Sequence, residues 1–205
     1  MASGIRESPS GDSVNRKREL RAEVRRRLAS LDSAQIQTAS AQAVRQLLSD
    51  PRWHDAQAIL AYSPIGHELN LWPAFDTARA LGKKIALPRF DAHSGTYCAA
   101  VIPDDKGALA QAAFGILEPP PSAPCIPLNR LDFAVVPGLA FDPWGRRLGR
   151  GKGFYDRLLV QVNGIKCGVA LDQQIVEELP AEPHDIVMNL ILTPTRWLFM
   201  PPGAS

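Results

Sequence analysis

Short apolar runs separated by helix-forming stretches are the feature that most limits what this chain can become. The runs read AILAY at 58–62, KIALP at 84–88, DFAVVP at 132–137, KCGVA at 166–170 and NLILT at 189–193. Each has the length of a strand, and a helical pattern from Pro73 to Leu81, closed by Gly82, stands between the first two. Such alternation predicts βαβ units and a parallel sheet. YCAAVI at 97–102 reads as a further strand, entered by the turn residues His93, Ser94 and Gly95. Ahead of the first run, Leu20, Val24, Leu28 and Leu31 recur at helical spacing, predicting a helix from about Arg16 to Ser30. Asp32 with Gln35 three residues on has the form of a capping box. It opens a second helix whose stripe of Ile36, Ala43, Val44, Leu47 and Leu48 stops before Pro51. The expectation is one α/β domain over residues 15–205, a three-layer Rossmann-like fold with a mostly parallel central sheet flanked by helices. The Ser- and Gly-rich residues 1–14 are expected to be a disordered tail, and the Pro-rich stretch 119–127 a rigid surface loop.

Composition narrows the function classes. A chain of 205 residues suits a single core, and 45% hydrophobic with 21% charged residues is ordinary for a globular enzyme or binding module. With 23 Lys and Arg against 21 Asp and Glu, the net charge of +2 provides no bulk field toward nucleic acid or membrane. Cys98, Cys125 and Cys167 form no CxxC pair and have no His at metal-ligand spacing, which argues against a disulfide framework or a structural zinc and fits a reducing cytosol. No apolar run has the roughly 20 residues that span a bilayer, and the first residues lack a secretory hydrophobic stretch, so a cytoplasmic location is expected.

Ligands of open parallel sheets sit at the carboxyl ends of the strands. The segment after DFAVV, from Pro137 to Leu159, packs Gly145, Gly149, Gly151 and Gly153 among Arg146, Arg147, Arg150 and Lys152. Glycines let backbone N–H groups approach phosphate oxygens, the cations supply countercharge, and a helix starting near Phe154 would add its positive end. The run is neither a P-loop, since Gly153 follows Lys152 where Ser or Thr should stand, nor a dinucleotide fingerprint, since Phe154 replaces the third glycine. On spacing alone a solvated basic loop is the alternative to a phosphate cradle.

GRRLGRGKGFYD at 145–156 closely resembles the signature of the 5-formyltetrahydrofolate cyclo-ligase family, with Phe154 where the family has a tyrosine. Further matches run in the same order through Lys17-Arg18-Glu19-Leu20-Arg21, AYSPIGHELN at 61–70, FGILEP at 114–119 and LPAEPHD at 179–185. The resemblance implies an ATP- and Mg²⁺-dependent enzyme, a monomer, that converts 5-formyltetrahydrofolate to 5,10-methenyltetrahydrofolate and releases ADP and phosphate. It implies ATP contacts from Lys17, Arg21, Arg147, Leu148, Gly149, Arg150, Gly151, Lys152, Gly153, Phe154 and Tyr155, with Lys152 and Arg150 clamping the transferred phosphoryl group. Folate contacts are implied for Ile65, Glu68, Asn70 and Phe114, and for Arg150 to Phe154 where the two substrates meet. Asp156 and Asp185 match the metal-ligand positions. Read in isolation, Asp156 is equally a first-turn carboxylate interacting with a helix dipole, His184 is structural, and Lys17 and Arg21 lie on one face of a segment in which seven of the twelve residues from Arg16 to Arg27 are basic. Other readings are a nucleotide binder of different specificity on the same scaffold and a nucleic-acid-binding module. The near-neutral charge and the lack of interleaved aromatics speak against the second.

Overall fold

The computed structural model describes residues 11–91, 95–111, 116–151, 153–182 and 185–200. Its first helix, α1 (Gly11–Ala29), begins before the expected start near Arg16 and takes in residues assigned above to a disordered tail. The contacts of its first turn, described below, account for the extension. α2 (Ser33–Leu48) starts on the predicted box: the Asp32 carboxylate accepts the Gln35 N–H at 2.8 Å, and the Gln35 side chain accepts the Asp32 N–H at 2.9 Å. Pro51 ends α2 and also occupies the first turn of a short α3 (Pro51–Asp55), where the missing N–H of proline costs nothing. The Asp50 carboxylate caps α3 by accepting the Arg52 N–H at 2.9 Å and pairs with the Arg52 guanidinium.

The predicted strands form as β1 (Ala58–Leu60), β2 (Lys84–Asp91), β3 (Thr96–Val101), β7 (Phe133–Pro137), β10 (Ile165–Val169) and β11 (Leu190–Leu192). α4 (Trp72–Ala80) links β1 to β2, and α5 (Phe154–Leu159) lies between β7 and β10. Six very short or edge strands complete the set among the described residues: β4 (Ala110–Gln111), β5 (Leu117–Glu118), β6 (Cys125–Ile126), β8 (Ala140–Phe141), β9 (Arg147–Leu148) and β12 (Trp197–Phe199). The central sheet runs β12-β11-β10-β7-β1-β2-β3-β6. The five strands from β11 to β2 pair in parallel, while β12, β3 and β6 add antiparallel edges.

Alternation along the strands builds one core on each face. Ile59, Phe133, Val135, Val169, Leu190 and Leu192 point to the face covered by α1, α2 and α4, against Val24, Leu47 and Phe75. Leu60, Ala134, Val136 and Ile191 point the other way, against Leu158 and Leu159 of α5. The crossovers therefore leave β1 and β7 for opposite faces and opposite ends of the sheet, which opens a crevice beyond the carboxyl ends of these two neighbours.

Two expectations are corrected here. The Pro-rich stretch is not wholly a loop, because Cys125 and Ile126 pair with β3 at the sheet edge. That pairing also sets Cys125 diagonally across from Cys98, at a Cα separation of 6.0 Å, and the two are joined as a disulfide while Cys167 stays free and buried. A separation of 27 residues in sequence hides a lateral neighbour in the sheet. No helix among the described residues is long and apolar enough to cross a membrane.

Candidate active site

The crevice is a cavity of about 1150 Å³, with floor residues from the ends of three strands: Tyr62 after β1, Leu87 and Pro88 in β2, and Pro137 and Gly138 at the end of β7. The Gly- and Arg-rich segment forms one wall. Its β8–β9 hairpin returns the chain to the cavity, so that Arg147 through Arg150, Gly151 and Gly153 through Asp156 line it. Gly151 and Gly153 have φ of +105° and +60°, a left-handed backbone that glycine adopts without a Cβ penalty. Gly145 does not reach the cavity; its φ of +84° and the Met188 carbonyl, which would lie 2.6 Å from an added Cβ, explain that glycine structurally.

Several described cations on and beside this wall are held. Arg147 is 5% exposed at its side chain and donates from Nη2 to Asp156 Oδ1 at 2.6 Å, with its guanidinium carbon 5.5 Å from the centroid of the Tyr155 ring. Its buried Nε has no hydrogen-bond partner among the described residues. Arg150 Nη2 crosses the cavity to Glu68 Oε1 at 2.8 Å. From α1, Arg21 Nε donates to the Gly149 carbonyl at 3.0 Å, and burial lowers the pKa of its guanidinium. One turn earlier, Lys17 Nζ lies 3.0 Å from Glu182 Oε1 and 3.3 Å from Asp185 Oδ2. Ser13 Oγ also donates to Glu182, at 3.2 Å, and this contact holds the early start of α1. Lys152 lies outside the described residues, as do Phe114 and His184.

The opposite wall is the loop after β1. The buried Tyr62 hydroxyl donates to the Leu69 carbonyl and bends the loop back, and the Ile65 N–H donates to Glu68 Oε2 at 3.0 Å. Burial pushes the Glu68 carboxyl above the usual range, an effect partly offset by Arg150 and by the Ile65 N–H. Burial likewise raises the Tyr155 hydroxyl, with the Glu68 charge adding to it, so Tyr155 is a neutral hydroxyl facing the cavity. Between the walls stands an aromatic series: Phe90 to Tyr97 at 4.9 Å between centroids, Tyr97 to Phe154 at 4.0 Å, and Phe154 to Tyr155 at 4.9 Å.

Of the expected site residues, all but Asn70 and the two undescribed ones line this cavity. Asn70 is exposed; its N–H donates to Ser40 Oγ and its Oδ1 accepts the Trp72 N–H at 3.1 Å, at the entry to α4. Asn70→Asp should therefore leave ligand affinity within twofold of the starting protein. By placing a charge at the first turn of α4 it should raise unfolding stability by ~0.3–1 kcal/mol. Calorimetric ligand titration together with urea unfolding checks both. Glu182 was not singled out from the sequence, although it stands in the same LPAEPHD segment as Asp185. Tyr97 was hidden in a strand pattern, since nothing local tells which face of β3 meets a cavity.

Asp156 and Asp185 share the cavity, but each carboxylate faces a cation, Arg147 and Lys17 respectively. No group of three possible ligands forms among the described residues. Oxygen donors of this kind, too few for a complete cage, fit a hard divalent cation carried mainly by phosphate oxygens and water.

Comparison with known proteins accords with this geometry. Over 173 residues, 78% of this chain and 85% of the relative, the sequence is 36% identical to the 5-formyltetrahydrofolate cyclo-ligase of Mycolicibacterium smegmatis. It is 31% identical over 177 residues to that of Escherichia coli, covering 84% of this chain and 97% of the relative. The structure superposes on the 5,10-methenyltetrahydrofolate synthetase of Aquifex aeolicus with a TM-score of 0.81 at 33% identity, over 92% of this chain and 95% of the other. A synthetase of the same name from Mycoplasma pneumoniae, at 20% identity and a TM-score of 0.69, shares the fold. With residues 13–194 matching the family's sequence profile, the chain belongs to the 5-formyltetrahydrofolate cyclo-ligase family.

Proposed function

We propose that this protein converts 5-formyltetrahydrofolate to 5,10-methenyltetrahydrofolate, consuming ATP and releasing ADP and phosphate. The observation that carries the reading is the Arg150–Glu68 ion pair, which joins the glycine-rich wall to the carboxylate wall across a single cavity. Two substrates that exchange a phosphoryl group must meet at such a junction, and the family relationship supports which two they are.

A formyl oxygen on an amide-like carbon leaves poorly until it carries a phosphoryl group. The task of the chain is then positioning and charge compensation. The cradle from Arg147 to Tyr155 holds the polyphosphate, and Arg150 and Lys152 neutralise charge on the transferred group. Glu68 accepts hydrogen bonds from the pterin's ring N–H and amino donors, with Ile65 packing beside it. Once the oxygen is phosphorylated, N10 attacks the formyl carbon and gives up its proton to solvent, the ring closes, and the carbon–oxygen bond breaks to release phosphate. Mg²⁺ would be held by Asp156 and Asp185 together with phosphate oxygens, and when bound it supplies countercharge to the polyphosphate.

The decisive measurement is the appearance of the absorbing methenyl product from 5-formyltetrahydrofolate, dependent on both ATP and Mg²⁺. No product, or product formed without ATP, would sink the reading. The pH dependence of folate binding tests the role of Glu68. Its carboxyl pKa is raised, so an affinity that needs the carboxylate is full above that raised value and is lost as pH falls through it. Arg150→Gln removes the guanidinium that holds the pKa down, so the acid-side loss should begin at higher pH than in the unaltered protein. A profile that moves the other way would remove Glu68 from the folate contact.

A further inference from the structure

Asp142 is the most deeply buried of the described charged groups that the reaction proposed above does not use. It is 0% exposed, and its carboxylate joins two stretches of chain that are far apart in sequence. Oδ1 accepts the N–H groups of Trp144 and Arg146, both at 3.0 Å, and so closes the turn that leads into β9 and the cradle. Oδ2 accepts the Leu179 N–H at 3.0 Å, in the segment that goes on to Glu182 and Asp185. The Arg146 guanidinium reinforces the junction, 3.7 Å from Asp142 Oδ2 and donating to the Leu179 carbonyl at 3.2 Å. The same turn is tied a second time, because the Gly145 N–H donates to the Asp142 carbonyl at 3.0 Å and the Gly145 carbonyl accepts the Met188 N–H at 2.8 Å.

Two arms of the cavity thus leave from one carboxylate. One carries the Arg147–Tyr155 cradle; the other carries Glu182 and Asp185, which grip Lys17 of α1. Three backbone N–H groups converge on two oxygens, an arrangement that an ionised carboxylate satisfies and an amide of the same shape does not, because its NH₂ would face an N–H donor.

We propose that Asp142 is a positioning residue that sets the register between the phosphate cradle and the Glu182–Asp185 arm. It touches no substrate; it fixes where the groups that do so stand. The inference rests on the cyclo-ligase reading for its kinetic readout only.

The test uses the full chain with Asp142→Asn, and with Asp142→Ala as the harsher change. Leu47→Ala, in the buried face of α2 and away from the cavity, serves as a stability control. At a temperature where circular dichroism shows each variant folded, kcat for methenyl formation should fall about tenfold or more in Asp142→Asn, since small misplacements of catalytic groups are costly. It should stay within twofold in Leu47→Ala, although the thermal midpoint of that control drops as far or further. Amide exchange supplies a readout independent of activity. The Leu139 N–H, bonded to the Leu148 carbonyl, and the Asp185 N–H, bonded to the Glu182 carbonyl, report on the two arms and should speed up together in Asp142→Asn. Unchanged kcat in Asp142→Asn, or an equal loss in Leu47→Ala, would overturn the proposal. If the unaltered protein forms no methenyl product, the cyclo-ligase reading fails, and the exchange result then decides for Asp142: joint acceleration of both amides supports the tether, and no change at either one refutes it.

Discussion

Lys152→Ala should leave the protein folded, with its thermal midpoint in place, and lower turnover about 10²-fold or more, the usual cost of losing one charge partner of a developing anion. The neighbours Gly151 and Gly153 both line the cavity, in left-handed conformations that no larger residue adopts easily. If Lys152 serves the phosphoryl clamp proposed above, its loss removes a full positive charge from a polyphosphate. The variant should also retain its affinity for the folate better than its affinity for ATP, because the carboxylate wall is built from the loop after β1. Turnover within threefold of the unaltered protein would take Lys152 out of the phosphoryl clamp.

Gly145→Ala has the largest expected effect on stability. The φ of +84° costs a non-glycine residue about 1 kcal/mol, and the new Cβ would lie 2.6 Å from the Met188 carbonyl and 2.9 Å from Val187 Cγ1. Backbone atoms cannot swing aside as a side-chain end can, so the turn and the 187–188 segment must part. The total loss should reach about 3 kcal/mol or more, within the range for strain combined with broken backbone hydrogen bonds. Gly151→Ala is the contrast: its φ is +105°, but the added Cβ would meet only the Arg21 guanidinium at 3.9 Å, so stability should fall by about 1 kcal/mol. Urea unfolding of both variants measures the difference, and equal losses would show that backbone conformation, not crowding, governs Gly145.

The parallel centre of the sheet was legible because burial on both faces writes itself as an unbroken apolar run, as in Phe133–Pro137, where every residue is buried. The edges were not. Trp197–Phe199 and Cys125–Ile126 are short, half in solvent and flanked by prolines, so their strand character comes from a neighbour across the sheet and not from their own pattern. The Cys98–Cys125 pairing was invisible for the same reason. Within the site, the glycines and cations of the cradle stood out locally. The partners of Lys17, the crossing from Arg150 to Glu68 and the junction at Asp142 are long-range facts that no single segment contains. Asn70 follows Glu68 closely in sequence, yet it stands just before α4, where its Oδ1 accepts the Trp72 N–H, and it does not line the cavity.

The pairing of the cavity's cations also bears on how a ligand would arrive. Lys17, Arg147 and Arg150 each face a carboxylate within 3.3 Å, so much of their field is spent inside the protein before any anion approaches. Binding of a polyphosphate as proposed would then be an exchange of partners, with the displaced carboxylates turned toward whatever positive charge the ligand brings with it. For these three cations long-range attraction would then add less to capture than their number suggests, and added salt, which screens exposed charge over about 8–10 Å, would act mainly on the half-exposed Arg150 and on Arg21, which faces a carbonyl.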